Sequence, residues 1–516
     1  MKFFKKRPDL TLPVFDLAKI KWYFENNDAS RAYQVLTEQT CTDLDFDEFF
    51  VHINRTSSCV GQQYLYDSLR RIPHEPKMAE YDNTIQHLKN NAELAYRCRK
   101  HLSGLAHHDA YYICSLFHDK HPTPSSLMTQ IIRTLQFMPL LFTATLIFFP
   151  KLICLLLAMG FFFTNMVFHY RNKYIQFAYL YSIPQFLKLV SIARKLSAET
   201  SLEKIQPDIK NRLQSLQSLV RRLSRFKFDV KLENDIVALL WGVKEIVNIF
   251  FLSEPNILFR SFRLMDAKRT DIEVVFAYVG RIDMLLSVAH LQENLPYYCK
   301  PQWTDAGLQM SDVYHPLIEQ CITNTLNTKG KSVLLTGSNM SGKTTFIRTV
   351  ALNMLSAQAL DMCFARSFSG RRMKIHSAIN LRDNLSEAQS FYMKEVLTVK
   401  DMLEKSHCGY NLFVLDEIYK GTNTLERIAA SKAVLAALAR NGNMVFASTH
   451  DIELADLLSE EYELYHFCEQ IEQNLLHFDY LLKHGKLRHR NAIKLLEIEG
   501  YPESVIAEAK TIVGKL

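Results

Sequence analysis

The sequence predicts an α+β multidomain protein, in which an all-α region containing a hydrophobic helical hairpin precedes an α/β domain. Apolar residues recur at helical spacing up to about residue 300, and one segment within this region is almost free of charge. From residue 301 onward, short apolar runs alternate with polar turns and helical patterns. The predicted domains are 1–130 (helical), 131–172 (hairpin), 173–300 (helical) and 301–516 (α/β with a C-terminal helical tail).

The composition is that of a folded protein with a mild basic excess. Hydrophobic residues make up 48% and charged residues 22% of the chain, which argues against intrinsic disorder. The formal net charge of +7 suits a phosphate-bearing partner or an anionic membrane surface. The ten cysteines show no CxxC pair and no metal-type spacing, so we expect reduced thiols in the cytosol. The basic start of the chain lacks the apolar run of a secretory signal, and no cleavable leader is predicted.

The helical regions on either side of the hairpin carry apolar residues three and four positions apart. Val60 and Tyr64 follow this spacing before the hairpin. Leu216, Val220 and Leu223 follow it afterwards. Such stripes are typical of the buried face of a helix rather than of a cofactor site, so we expect two helical cores.

The predicted hairpin lies between Arg133 and Arg171, where Lys151 is the only Lys, Arg, Asp or Glu. Apolar stretches 134–149 and 152–168 lie on either side of it, and each would extend about 25 Å as a helix. Three interpretations remain open: two short transmembrane helices, a re-entrant or interfacial hairpin, and a buried hairpin of a soluble domain. The low charge favours the first.

A membrane hairpin would have basic residues at both outer ends, Arg133 on one side and Arg171 with Lys173 on the other. Basic flanks stay on the cytoplasmic side of a membrane. The expectation is therefore a cytoplasmic protein anchored to the inner (cytoplasmic) membrane through residues 134–168, with both ends of the hairpin facing the cytoplasm.

A nucleotide-binding loop is predicted at 337–344, which matches GxxxxGK[ST]. A strand-like run precedes it and a helix-compatible run follows, a context that makes a chance glycine-rich turn a poor alternative. Lys343 should reach the β- and γ-phosphates of ATP, and the Thr344 hydroxyl should bind Mg²⁺. The residues predicted to bind the nucleotide are Gly337, Ser338, Asn339, Met340, Ser341, Gly342, Lys343, Thr344 and Thr345.

An acidic pair, Asp416-Glu417, ends a second apolar run at 412–415. Ligands bind at the carboxyl ends of parallel strands, so we expect these carboxylates beside the loop. Asp416 is predicted to hold Mg²⁺, and Glu417 to orient or deprotonate the attacking water. An acidic pair alone could be a solvated turn, but the upstream loop favours the catalytic interpretation.

A third strand-like run, 444–448, leads to Thr449-His450. His450 could contact the γ-phosphate or position the water, although a histidine after a strand is often structural. With Lys343 and Glu417, it completes the predicted catalytic set.

These residues closely resemble the ATPase domain of the MutS family. The resemblance rests on Asn339-Met340 in the loop, on Gly421-Thr422-Asn423-Thr424 after the acidic pair, and on Thr449-His450. It implies a P-loop α/β ATPase domain of ABC/MutS type, with the upstream helices as core and lever. The similarity is strong over about 301–516 and loose over 40–130 and 171–300.

The segment between the two nucleotide motifs adds a prediction about assembly. Asp383-Asn384-Leu385-Ser386 and then Ser390 resemble a MutS segment whose serine reaches the γ-phosphate bound by a neighbouring subunit. The resemblance therefore implies a homodimer with composite ATP and Mg²⁺ sites, and Ser390 is the candidate for this contact.

Two departures from the family affect the functional prediction. Fewer than 50 residues precede the core-like region, so we do not expect the mismatch-recognition domain, and Phe46-Asp47-Glu48 is interpreted as a chance match to its Phe-x-Glu motif. The helical block is also short for a full DNA clamp. Basic clusters that could contact DNA, or form only a solvated face, are Arg221, Arg222, Arg225, Lys227 and Lys231, and Lys486, Arg488, His489 and Arg490.

Two functional hypotheses follow. The first is a dimeric MutS-like ATPase that binds DNA in mismatch repair or recombination. The second is a membrane-anchored ATP-dependent switch or scaffold that acts on a protein partner without binding DNA. Salt-dependent DNA binding would distinguish them.

Overall fold

The computed structural model places helices in most of the first 300 residues and most of the strands beyond them. It describes residues 13–28, 30, 32–75, 77–122, 125–148, 152–179, 181–224, 246–338, 340–379, 391–419, 421–472, 475–487, 496–497 and 500–513. The α-helices of this described part are, in chain order, α1 Leu17–Asn26, α2 Glu38–Asp43, α3 Phe46–Ile53, α4 Cys59–Arg70, α5 Lys77–Glu80, α6 Asp82–Asn90, α7 Ala92–Leu102, α8 Ser115–His118, α9 Ser126–Phe148, α10 Leu152–Ala178, α11 Ser182–Leu196, α12 Thr200–Glu203, α13 Ile209–Ser215, α14 Gln217–Leu223, α15 Ser253–Ala267, α16 Arg269–Asn294, α17 Lys343–Leu360, α18 Phe391–Lys405, α19 Thr424–Leu438, α20 Ile452–Leu457 and α21 Glu503–Val513.

The strands form mixed sheets. Those in the described part are β1 Ala32–Val35, β2 Arg71–Pro73, β3 Pro301–Trp303, β4 Gln309–Val313, β5 Asn324–Asn327, β6 Ser332–Thr336, β7 Ser367–Gly370, β8 Lys374–Ala378, β9 Asn411–Asp416, β10 Met444–Thr449, β11 Tyr462–His466, β12 Glu469–Glu472, β13 Leu475–Phe478 and β14 Lys483–His484. A six-stranded sheet has the order β14-β11-β6-β10-β9-β8, and a four-stranded sheet has the order β3-β7-β4-β5. The mixed α/β architecture predicted for the C-terminal part is therefore confirmed.

The chain divides into two compact units. Unit 1 contains Met1–Asp28, Arg55–Asp67 and Asn83–His290, and is helical in its described part. Unit 2 contains Ala29–Asn54, Ser68–Asp82 and Leu291–Leu516. Two short N-terminal segments thus group with the α/β part, although their sequence patterns place them in the helical region 1–130. The spacing of apolar residues indicates whether a segment is helical, but it does not indicate which part of the chain the segment packs against.

A buried carboxylate holds the start of α4 in unit 1. Asp283, on α16, accepts hydrogen bonds from the backbone nitrogens of Ser57 and Ser58, each at 2.8 Å, and from the Ser58 hydroxyl. Backbone N–H groups at the start of a helix have no partner within the helix, so Asp283 supplies their acceptor. Gly61 lies against this carboxylate, and a Cβ added there would be 2.6 Å from the Asp283 Cγ.

The ionisation of Asp283 is expected to make stability depend on pH. Burial raises the pKa of Asp283 to about 6, although the hydrogen bonds from Ser58 and Ser57 act in the opposite direction. A pKa that is higher in the folded state gives stability that is complete below the unfolded pKa of about 4 and is lost as the pH rises through 6. We expect the unfolding free energy of the wild type, relative to Asp283→Asn, to fall by up to about 3 kcal/mol across this interval. Urea unfolding at several pH values measures the difference, and a difference independent of pH would contradict the assignment.

The predicted membrane anchor through residues 134–168 is wrong, and with it the inner-membrane localisation. Over the ranges given above, none of the helices is both long enough and apolar enough to cross a bilayer. The apolar stretches belong to longer helices: α9 begins at Ser126 and includes Arg133, and α10 continues through Arg171 to Ala178. Each apolar stretch extends about 25 Å, less than the roughly 30 Å of a hydrocarbon core. The two helices contact each other, and Asn165 Nδ2 donates to Leu135 O at 3.2 Å.

The central strands of the six-stranded sheet are parallel and buried. β6 pairs with β10 and β11, and β9 pairs with β8 and β10, all in parallel register. Every residue of β6 and β10 is buried, and helices α17 to α20 pack on the sheet. Continuous apolar runs such as 333–335 are typical of parallel strands that are covered on both faces.

The N-terminal segments of unit 2 cover the β8 edge of this sheet. Gln34 on β1 pairs with the backbone of Ile375, because its Nε2 donates to the carbonyl at 2.6 Å and its Oε1 accepts from the N–H at 2.8 Å. The buried Asp43 carboxylate accepts from Ser377 Oγ at 2.7 Å and from the Ile379 backbone nitrogen at 3.1 Å. Side chains from 29–54 thus satisfy edge groups that would otherwise be open to pairing with another strand.

Candidate nucleotide-binding site

Three parallel strands bring their carboxyl ends to one rim of the six-stranded sheet. β10 lies between β6 and β9, with Thr449 opposite Thr336 and Ser448 opposite Asp416. The loop after β6, the acidic pair after β9 and the histidine after β10 therefore start from adjacent positions. This end of a parallel sheet is where ligands bind in α/β proteins.

The loop between β6 and α17 is held together by its own polar groups. Lys343 is buried, and its Nζ donates to the carbonyls of Gly337 at 2.9 Å and Ser338 at 2.8 Å. Ser341 Oγ also donates to Ser338 O, at 2.8 Å. Gly342 precedes α17 with a φ of +102°, a conformation that side chains rarely adopt. The N-terminus of α17 follows directly, and helix N-termini favour phosphate.

A hydroxyl and a carboxylate meet at the start of α17. Thr344 Oγ1 donates to Asp416 Oδ2 at 2.6 Å, and Ser448 Oγ donates to Asp416 Oδ1. Mg²⁺ prefers oxygen ligands and is often held by one or two carboxylates together with substrate phosphates. No group of three or more His, Cys, Asp or Glu side chains suited to a metal occurs in the part of the chain that the structure describes. The Thr344–Asp416 pair offers two oxygen ligands side by side, which fits a magnesium ion that the nucleotide helps to bind.

Glu417 and His450 form a second pair beside the first. His450 Nε2 contacts Glu417 Oε1. Glu417 has a φ of +50°, and its backbone nitrogen donates to Ser448 O at 3.0 Å. Non-glycine residues adopt this conformation at an energetic cost, and they cluster at functional sites. The turn directs Glu417 to the same cavity that the P-loop lines.

That cavity has a volume of about 580 Å³, and residues 340–346 of the P-loop and α17 form part of its wall. The remaining wall includes His315, Ile322 and Tyr480, a mixed apolar surface suited to a nucleotide base. Burial lowers the pKa of His315 to about 4, with a further effect from Arg348, so its imidazole is neutral at pH 7. Tyr480 lies 3.2 Å from the position of a Cβ on Gly342.

Several of these contacts were not predicted from the sequence. Ser448 lies in the strand-like run 444–448 and has no predicted site role, and Glu469, whose Oε2 accepts from Ser338 Oγ at 2.6 Å, belongs to no recognised motif. Tyr480 also belongs to no motif. Gly485, which follows it in the chain, indicates a turn but no role in binding. His315 likewise belongs to none of the motifs described above. The parallel strand-end pattern could have indicated Ser448, because it directly precedes Thr449.

Some predicted site residues fall outside the described part of the chain. Asn339 and Ser390 are among them, as are the stretch 383–386 and the basic residues 225–231 and 488–490. The described neighbour of Ser390 is α18, where Glu395 is buried and accepts a hydrogen bond from the Tyr419 backbone nitrogen. This contact fixes the loop that follows the acidic pair.

The segment that carries these residues is similar to known proteins. A family profile described as MutS domain V matches residues 333–516. The chain is 31% identical over 255 residues to "MutS protein homolog 4" of Mus musculus, a match that covers 46% of this chain and 26% of the relative. It is 28% identical over 251 residues to "DNA mismatch repair protein MutS" of Acetivibrio thermocellus, covering 46% of this chain and 29% of the relative. The chain thus matches about a quarter to a third of the length of these curated relatives. The profile match, these relatives and the P-loop with its acidic pair together show that the chain carries, within residues 333–516, the ATPase domain of the MutS family.

Proposed function

We propose that this chain binds ATP with Mg²⁺ and hydrolyses it, and that its nucleotide state controls binding to DNA. The observation that supports this most directly is the grouping of Thr344, Asp416 and Glu417 at adjacent strand ends beside the P-loop. Phosphoryl transfer requires positioning and charge stabilisation more than covalent chemistry, and this set supplies both.

Each side chain has a distinct role in the proposal. Lys343 and the start of α17 stabilise the phosphate charge, and Thr344 with Asp416 holds Mg²⁺, which would neutralise the developing negative charge. Glu417 orients and deprotonates the attacking water. His450 contacts Glu417, and in the proposal it holds that carboxylate in place and contacts the γ-phosphate.

A second copy of the chain would complete the site. Ser390 directly precedes α18, whose first turns expose the apolar side chains of Tyr392, Met393 and Leu397. Leu425, on α19 after the acidic pair, is 83% exposed. Exposed apolar residues on the helices that precede and follow the acidic pair in the sequence favour a homodimer interface there, across which Ser390 would reach the partner's nucleotide.

We propose DNA as the partner because of what one relative is named for and because this chain has a positive net charge. One of the relatives is named a DNA mismatch repair protein, and this chain has a net charge of +7. Arg221 and Arg222 lie in the last turn of α14, in the first of the two basic clusters. Cationic side chains of this kind would contact DNA phosphates and give salt-dependent affinity.

The decisive experiment is a titration of labelled duplex and branched DNA at about 50 and 200 mM salt, with ADP and with a non-hydrolysable ATP analogue. We expect affinity to fall by at least about 10-fold at the higher salt. We also expect it to differ by about 5-fold or more between the two nucleotides.

The matched control is Lys343→Ala, which should still bind DNA but without dependence on the nucleotide. Absence of binding at low salt with either nucleotide would contradict the DNA proposal. It would instead favour an ATP-dependent switch that acts on a protein partner.

A further inference from the structure

Cys299 and Cys363 face each other across an antiparallel bridge in unit 2. Cys299 N donates to Cys363 O at 3.1 Å, and Cys363 N donates to Cys299 O at 2.8 Å. Residues that exchange both backbone hydrogen bonds lie directly opposite, with Cα atoms about 5.5 Å apart. Disulfides span Cα distances of about 4.4–6.8 Å. The Cα spacing of such a pair therefore lies within the range that a disulfide spans.

The two thiols differ in their surroundings. A hydrogen bond from the Cys363 thiol lowers the pKa of Cys299, whereas burial raises the pKa of Cys363 well above its ordinary value. Cys299 is half-buried and Cys363 is fully buried. Because the thiolate is the reactive form of cysteine, Cys299 is the thiol that a soluble oxidant would reach and react with first.

We propose that Cys299 and Cys363 are a redox-active pair that forms a reversible disulfide with a peroxide or a low-molecular-weight disulfide as oxidant. With hydrogen peroxide, the Cys299 thiolate attacks one oxygen, the O–O bond breaks, and a sulfenic acid and hydroxide form. The Cys363 thiol then attacks the Cys299 sulfur, the S–O bond breaks, and water leaves. In total, two thiols are oxidised to a disulfide and one peroxide is reduced to two waters.

Glutathione disulfide would act by exchange. The Cys299 thiolate attacks one sulfur and releases one glutathione thiolate, which leaves Cys299 in a mixed disulfide. Cys363 then attacks the Cys299 sulfur and releases the second glutathione, so that the oxidant gains the two electrons that the pair loses.

The bond would fasten the chain just before β3 to the segment that follows the P-loop helix. That segment is anchored on α17, because the Asn353 side chain accepts from Phe364 N at 2.7 Å, and Tyr314 N donates to Phe364 O at 3.0 Å. The closed loop would contain residues 300–362, and with them the whole P-loop. Oxidation would therefore restrict the part of unit 2 that carries the phosphate site.

The test uses the purified full-length chain, treated with hydrogen peroxide or with glutathione disulfide. Free thiols are alkylated, the protein is digested without reductant, and the peptides are identified by mass spectrometry. We expect a cross-linked peptide that joins Cys299 to Cys363, a mass lower by two hydrogen atoms, and full reversal by dithiothreitol.

Two variants provide the comparison. Cys299→Ser should abolish the cross-link and leave Cys363 open to alkylation after denaturation. Cys408→Ser removes an exposed cysteine of the same unit and should leave the cross-link unchanged. The proposal is overturned if Cys299 and Cys363 stay reduced in the oxidised wild type, if Cys299 carries glutathione while Cys363 remains a thiol, or if either joins another cysteine instead.

Discussion

Replacing Glu417 by Gln is expected to lower kcat for ATP hydrolysis by about 100-fold or more while changing nucleotide affinity by less than about three-fold. Gln keeps the size of the side chain but cannot accept a proton from water. The Thr344–Asp416 pair and the P-loop, which bind the phosphates and Mg²⁺ in the proposal, remain intact. Steady-state phosphate release and the Kd of a fluorescent ATP analogue measure the two quantities separately.

Two comparisons give this prediction its specificity. Glu404→Gln alters a carboxylate of α18 that is 69% exposed, so kcat should be unchanged. Lys343→Ala should lose nucleotide binding together with turnover, because the cation that faces the phosphates is removed. Wild-type turnover in Glu417→Gln would show that the proposed water activation is wrong.

The second large effect is expected in unit 1, where Gly61→Ala should destabilise the folded chain by about 3 kcal/mol. Helix propensity alone would predict the opposite sign, because Ala favours a helix interior over Gly by about 1 kcal/mol. The new methyl group would lie 2.6 Å from Asp283 Cγ and 2.8 Å from Asp283 Cβ. The carboxylate would have to move, and its hydrogen bonds to Ser57 and Ser58 would be lost.

Gly160→Ala provides the matched control in α10. Outside the neighbouring backbone of α10, no atom of the described residues lies within 4 Å of a Cβ added at Gly160, so this substitution should stabilise the helix by up to about 1 kcal/mol. Urea unfolding followed by circular dichroism compares the two variants with the wild type. Equal effects of the two substitutions would rule out the close approach of Gly61 to Asp283 as the cause.

The features that could be predicted from the sequence are motifs made of a few consecutive residues. The P-loop, the acidic pair and the Thr-His strand end each occupy a few consecutive residues, and each follows a buried apolar run. Parallel strands align their carboxyl ends, so local patterns were sufficient to predict that Lys343, Asp416 and His450 would start from one rim.

The features that were missed depend on residues far apart in the chain. Gln34 and Ile375 are separated by 341 positions, and Asn324 supports Tyr480 from 156 positions away. No periodicity reveals such pairs. The membrane prediction was wrong because low charge indicates an apolar segment but does not make it long enough to cross a bilayer. Each apolar stretch extends about 25 Å, and α9 and α10 continue past these stretches into Arg133 and Arg171.

The cover over β8 has a consequence for how unit 2 is synthesised and how it can be isolated. Gln34 and Asp43 are synthesised long before Ile375 and Ser377. More than 300 further residues must be translated before β8, with which residues 29–54 pair, is available. A truncated protein that begins at Pro301 would lack both side chains and present β8 as an open template for aggregation. Dissection of the ATPase domain should therefore supply residues 29–54 together with the C-terminal fragment, either fused to it or added as a separate peptide.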